Sequence, residues 1–322
     1  MAKTSKKPAK TTEAKKPFDV YQNVTDSILA DLESGVATWA KPWKSDGKAC
    51  IASGLPLSLY SRKAYRGINI MILLGACAAN GWSVPAFATF KQISEMGGKV
   101  LPGSKATYVY YMQTKLVDAK TDEEKARADE NGQIKIFFQK GFAVLNIAQT
   151  EGLDVNVEDL KVVSNLPEDM GEIVDALSVD LRTGGDKAFY SPALDFVGMP
   201  KVEAFEIVEA YKATLLHEVT HWTGHGTRMN RKMEGGFGSQ SYAYEELVAE
   251  LGAAFLCAEL GIAGRLQHAE YIGSWISLLK GDKRAFFRAA SEAQKAVDWI
   301  REKVAAIPVN DNDEIEEMRE AA

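Results

Sequence analysis

The string HEVTH at positions 217–221 sets two imidazoles four residues apart, with a carboxylate next to the first. On a helix, residues four apart share one face, so His217 and His221 can present two ring nitrogens to a single ion at about 2.0–2.1 Å. Glu218 then lies beside them, placed to take a proton from an acidified water and return it to a leaving amine. This is the chemistry of peptide-bond hydrolysis. HExxH also arises by chance in helices whose histidines are merely satisfied in a core or at a surface. Here only four histidines occur (His217, His221, His225, His268), and three fall within nine residues. The flanking Ala213, Leu215, Leu216 and Val219 predict a buried helix, and carboxylates that can complete the site follow.

A catalytic zinc takes three protein ligands and keeps a fourth position open. His225 is eight residues from His217, about 12 Å along a helix at 1.5 Å per residue, so the two could share an ion only if the helix broke at Gly224. The stretch EELVAE offers Glu245, Glu246 and Glu250 instead. Several zincin families take the third ligand from a glutamate on the next helix, with an acid four positions later orienting a ligand histidine. That spacing points to Glu246 as ligand and Glu250 as the outer acid, the reverse assignment staying open. Glu245, about 100° round the helix, is expected to face solvent. Small Ala249 leaves room for close helix packing. The expected ion is Zn2+, with Mn2+ as an alternative divalent metal. Upstream, Phe189 to Pro200 reads as one extended segment, either an edge strand that pairs with a peptide main chain or an ordinary connection.

Elements must hold these groups in place. At 322 residues and 46% hydrophobic content, the chain has room for two domains, each burying its own core. Val20 to Ser34 carries apolar residues at helical spacing, and INIMILLGACAANG predicts a buried helix ending near Gly81. ATYVYYMQTKLV and QIKIFFQKGFAVLNIA read as strands, joined by the solvated excursion DAKTDEEKARADENG. A long helix is expected to carry HEVTH, a second to end at Gly261, and two more to run from about Leu266 to Leu279 and Arg284 to Ala305. Residues 1–17, rich in Lys, Thr, Ala and Pro, cannot bury enough surface to order themselves, and 309–322 form an acidic tail.

The net charge of −6 conceals an uneven distribution. Lys41 to Lys115 holds ten basic residues against two acidic ones, whereas Glu151 to Glu209 holds fourteen acidic residues against four basic ones. A polyanion would choose the first region. There Trp39, Trp43, Tyr60, Tyr65, Trp82, Tyr108, Tyr110 and Tyr111 interleave with the cations. Aromatic faces for bases and cations for phosphates are what single-stranded nucleic acid requires. The densest patch is LYSRKAYRGIN, so Arg62, Lys63, Tyr65 and Arg66, with Trp43 and Lys44 upstream, are the expected DNA contacts. No signature of a sequence-specific duplex reader is present. Three scattered cysteines, Cys50, Cys77 and Cys257, support neither a disulfide framework nor a thiolate metal site, which fits a cytoplasmic setting. The N-terminal lysines lack the apolar stretch of a secretory signal, and the longest apolar run is too short for a membrane span, so no membrane association is expected.

Long strings extend these readings: SGLPLSLYSRKAYRGINIMIL, GKVLPGSKATYVYY, AFYSPALDFVGMP, LLHEVTHWTGHGTRMNR and FGSQSYAYEELVAELGAAFLCAELGI. Together they resemble the ArdC family of antirestriction proteins over most of the chain. The resemblance implies an α+β protein of two domains. An N-terminal α/β domain binding single-stranded DNA (18–148) would precede a largely helical, zincin-like metallopeptidase domain (149–308). Members are encoded on conjugative plasmids and help incoming DNA escape host restriction. His217, Glu218 and His221 carry over as family site residues, and Glu246 with them. Shielding of entering single-stranded DNA is the first functional reading. The alternative is a DNA-associated metalloprotease acting on a host restriction component or a DNA-bound protein. In a third, the metal only stabilises a binding module.

Overall fold

A computed structural model describes residues 19–34, 54–160, 162, 164–233, 239–262 and 271–306. Trp43, Lys44, Cys50, His268 and both terminal stretches lie outside the described residues. In chain order the helices are α1 (Val20–Glu33), α2 (Ile68–Asn80), α3 (Phe90–Glu95), α4 (Asp122–Lys125), α5 (Met170–Leu177), α6 (Val208–Thr223), α7 (Gln240–Leu260), α8 (Ile272–Gly281) and α9 (Ala285–Ala305). The strands are β1 (Leu57–Ser58), β2 (Ala86–Thr89), β3 (Lys99–Val100), β4 (Thr107–Asp118), β5 (Gln133–Asn146), β6 (Thr150–Glu151), β7 (Leu181–Thr183), β8 (Phe189–Ser191) and β9 (Phe196–Met199).

The N-terminal half is built on a four-stranded sheet of order β1-β2-β5-β4, parallel between β1 and β2 and antiparallel elsewhere. The two expected strands form its long β4–β5 hairpin, and the charged excursion between them contains the short α4. The apolar run of α2 packs beneath this sheet and stops at Gly81, whose left-handed backbone (φ 67°) closes the helix on the carbonyl of Cys77. Gly261 (φ 66°) stops α7 in the same way.

The C-terminal half is largely helical. α7 has no polar stripe: Ala243 and the whole run from Glu245 to Glu259 are buried, because α6, α8 and α9 surround it. A small sheet, β7-β9-β8, lies against α6. The segment expected to be one extended piece is therefore a hairpin, folded back at Asp195 in left-handed conformation (φ 53°). The expectation of a separate core for each half is corrected as well. The larger cluster runs from Ile28, Leu32 and the α2 residues through Leu247 and Leu251 to Val297, whereas a smaller one around Leu57, Ala86 and Leu145 lies under the N-terminal sheet. α1 docks on the C-terminal helices through Tyr21 against Phe287 and a hydrogen bond from Thr25 Oγ1 to the carbonyl of Lys283. No helix among the described residues is long and apolar enough to cross a membrane.

Candidate functional site

Helices α6 and α7 build the site. They approach closely at Gly252, where a Cβ would lie 2.6 Å from Cγ2 of Thr220. The face of α6 that meets α7 bears His217 and His221, both buried, with their Nε2 atoms 3.1 Å apart. From α7, the carboxylate of Glu246 stands 3.5 Å from Nε2 of His217 and 3.6 Å from Nε2 of His221. These three donors all lie within 4.8 Å of one another. Two nitrogens bound to one zinc at tetrahedral angles are about 3.3 Å apart, so the donor set has the chemistry and the span for a divalent ion. Glu246 is the carboxylate that lies with the two imidazoles. Glu250, one turn further along α7 and buried, is not in the cluster.

Glu245 corrects the sequence reading. Far from facing solvent, it is buried and accepts from Nδ1 of His221 at 3.3 Å. Glu245, next to Glu246 in the chain, thus holds the outer nitrogen of His221. The reason is Arg231, just beyond α6, which donates to Glu245 at 2.7 Å and to the carbonyl of Thr220 at 2.7 Å. A paired, hydrogen-bonded guanidinium makes the burial of Glu245 tolerable. The signal was present: arginines follow the histidine motif, and four glutamates, Glu245, Glu246, Glu250 and Glu259, share a largely apolar helix.

Charges are strongly coupled here. Burial disfavours a charged His221, but the carboxylates of Glu245 and Glu246 outweigh it and push its pKa up to about 10 in the metal-free protein. Burial likewise raises Glu246, yet His217 and His221 hold its carboxyl well below the usual range. A divalent ion would take the place of these protons.

A cleft of about 700 Å³ opens over the cluster, lined by Glu218 as well as His217, His221 and Glu246. One wall is β8, which pairs only with β9 among the described strands and so offers a free edge. Arg228 fastens this hairpin to the end of α6. It binds Asp195, donates to the carbonyl of Trp222 at 2.7 Å and stacks 3.7 Å above the Trp222 ring. The opposite wall carries Tyr242 and Tyr271, their hydroxyls 3.0 Å apart. Burial, Tyr271 and Glu246 all raise the pKa of Tyr242, keeping its phenol protonated. Sequence reasoning did not single out either tyrosine. His225 lies beyond the end of α6 at Thr223, pairs with Thr227 Oγ1 at 2.8 Å and stays outside the cluster.

The residues expected to contact DNA divide. Tyr60, Arg62 and Lys63 form an exposed turn after β1, with Arg62 in left-handed conformation (φ 59°). Tyr65 instead packs against the main core, and burial pushes its phenol up to about 12. Arg66 is exposed but ion-paired with Asp298 of α9. The patch therefore presents three exposed cations, one of them ion-paired to Asp298, and one exposed aromatic face, Tyr60, rather than the full set.

Two family models match the chain. One, described as the N-terminal domain of anti-restriction factor ArdC, covers residues 18–145, and the other, a zincin-like metallopeptidase, covers 168–292. Protein y4eC of Sinorhizobium fredii is 36% identical over 286 residues, spanning 88% of this chain and 92% of that protein. DNA primase TraC of Escherichia coli is 36% identical over 299 residues, but the match spans only 27% of TraC against 89% of this chain. The crystal structure of antirestriction protein ArdC from plasmid R388 in metal-free form superimposes with a TM-score of 0.72 at 37% identity, covering 89% of this chain and 98% of that one. Its Mn(II)-bound form gives 0.70 at 35% identity, covering 90% and 100%. With both halves matched in order and nearly the whole of the plasmid protein covered, this chain belongs to the ArdC family of antirestriction proteins.

Proposed function

We propose that the protein binds single-stranded DNA and protects incoming plasmid DNA from host restriction in the recipient cytoplasm, and that it carries a zinc-type peptidase site. The observation that carries the reading is the pairing of exposed basic and aromatic surface in the N-terminal half with the buried His217, His221 and Glu246 cluster. Manganese in the R388 relative supports a divalent ion at these residues. When bound, the ion supplies Lewis-acid polarisation of a carbonyl and acidifies water to a pKa of about 7. Glu218 takes the water's proton and hands it to the departing amine. An extended peptide pairs with the open edge of β8, which sets its carbonyl over the cluster. The protonated phenol of Tyr242 faces the same cleft and can donate to the oxygen on which charge develops.

A restriction assay in recipient cells tests the division of labour. It compares wild type, Glu218→Gln and a variant with Arg62, Lys63 and Arg66 neutralised. Protection by shielding survives Glu218→Gln and is lost with the basic residues. The second reading, proteolysis of a host restriction component or a DNA-bound protein, is favoured by the free edge strand beside the cluster. In that case Glu218→Gln abolishes protection while the metal stays bound.

A further inference from the structure

Outside the metal cleft, the largest unexplained feature is the β4–β5 hairpin. β2 pairs with β5 only from Val144 to Asn146, so from Ala143 to Gln133 the hairpin is a two-stranded ribbon reaching beyond the sheet. At about 3.4 Å per residue it projects roughly 30 Å. Directly opposed residues share a face, so one face carries Phe142, Tyr111 with Lys140, Gln113 with Phe138, and Lys115 with Ile136. The other face turns Tyr110 and Met112 towards the core.

Beyond Val109, which lies opposite Phe142 and is buried in the core, the first face is open. Tyr111 is 50% exposed, Phe138 44%, Phe142 38% and Ile136 43%. Cross-strand contact alone explains aromatics that cover each other, not aromatics left half in water. Both lysines of this face lie over its rings, Lys115 5.8 Å from Phe138 and Lys140 4.9 Å from Phe142. No carboxylate occurs on this face along the ribbon, since Asp118 belongs to the other. A row of aromatic faces with cations beside them, free of acid, complements unpaired bases followed by phosphates.

We infer that this ribbon face, Phe142 to Ile136, is a stacking platform for single-stranded nucleic acid, distinct from the Tyr60–Arg62–Lys63 turn. The inference rests on the proposed binding of single-stranded DNA and locates a second contact for it. Recognition there is tolerant of sequence, because every base offers a ring face to stack on.

The test uses the full chain and fluorescence anisotropy of a labelled oligothymidylate at several salt concentrations. One variant combines Tyr111→Leu, Phe138→Leu and Phe142→Leu, which keeps the apolar cross-strand contacts while removing the rings. A second combines Lys115→Gln and Lys140→Gln. Circular dichroism confirms that each folds. The leucine variant is expected to bind at least about tenfold more weakly with an unchanged salt slope. The glutamine variant is expected to flatten that slope by about 1.4, two phosphates at 0.7 each. Wild-type-like binding by both variants overturns the platform while leaving single-strand binding by the protein intact. No binding by the wild type overturns both. Equal affinity for a duplex, or a dimer that the leucine variant splits without change in oligonucleotide binding, also overturns it, the last assigning the face to a second copy of this chain.

Discussion

Nδ1 of His221 lies 3.3 Å from Oε1 of Glu245, which in turn holds the buried guanidinium of Arg231. A carboxylate on the far nitrogen fixes the tautomer and leaves Nε2 aimed at Glu246 and His217. Glu245→Gln keeps an acceptor oxygen but removes the charge. Loss of such a partner lowers metal affinity by roughly 10–100-fold. Competition against a chromogenic chelator measures this directly, and an affinity within threefold of wild type would mean that Arg231, not His221, is what Glu245 serves.

Protons and metal compete for the same atoms. The pKa of about 10 at His221 exceeds the ordinary 6.5, so in the metal-free protein this proton stabilises the fold fully below about pH 6.5. That contribution is lost as pH rises through about 10. A bound cation displaces the proton, and metal uptake therefore releases protons. Thermal melts from pH 6 to 10, with and without metal, should show the metal-free midpoint falling and the gap to the loaded protein widening. A gap that stays constant across this window would argue against a protonated His221 in the metal-free fold.

The α6–α7 contact is as tight as a glycine permits. Alanine at position 252 would bring its methyl within 2.6 Å of Cγ2 of Thr220 and 2.9 Å of its Oγ1. Thr220 cannot easily turn aside, since it is fully buried and its hydroxyl bonds the carbonyl of Leu216 at 2.7 Å. Alanine gains roughly 1 kcal/mol of helix propensity, but overpacking costs about 1–3 kcal/mol, so Gly252→Ala should be destabilising by up to about 2 kcal/mol. Thr220→Ser removes the closer methyl and should recover part of the loss. Denaturant unfolding of the two single variants and the double variant measures that coupling.

Periodic features were legible because they follow from local chain geometry. The apolar rows of α1, α2, α7 and α9, the glycine stops at Gly81 and Gly261, and the HExxH pair are all read within one or two helical turns. What escaped depends on distant partners. Glu245 was expected outside because helix angle alone separates it from Glu246, yet Arg231, fourteen residues earlier, draws it in. Tyr65 lies among charges in sequence and against the core in space. Strands of two to four residues such as β1, β2 and β3, and the eight-residue α5, offer too little pattern to register. The turn at Asp195 broke a segment that alternation alone would have kept straight.

The outer strand of the hairpin is tied to α2 through one amide. β4 is the outer strand of its sheet, and Tyr110 turns its N–H and C=O away from β5. The side chain of Asn69 takes both: the N–H of Tyr110 donates to Oδ1 at 2.8 Å, and Nδ2 donates to the carbonyl at 2.9 Å. It stands in for a further strand at the point where the ribbon leaves the sheet. Asn69→Ala strands both backbone groups in a partly buried setting, at a cost of about 1–3 kcal/mol. Asn69→Asp keeps only the acceptor and sets a charge against the carbonyl, so it should do no better. Because α2 and the sheet have their own packing, the loss should be local. Amide exchange is expected to accelerate along β4 and β5 beyond Tyr110 while α7 stays protected. Uniform acceleration through α7 would instead make Asn69 a determinant of the whole fold, since the main core runs unbroken from α2 to that helix.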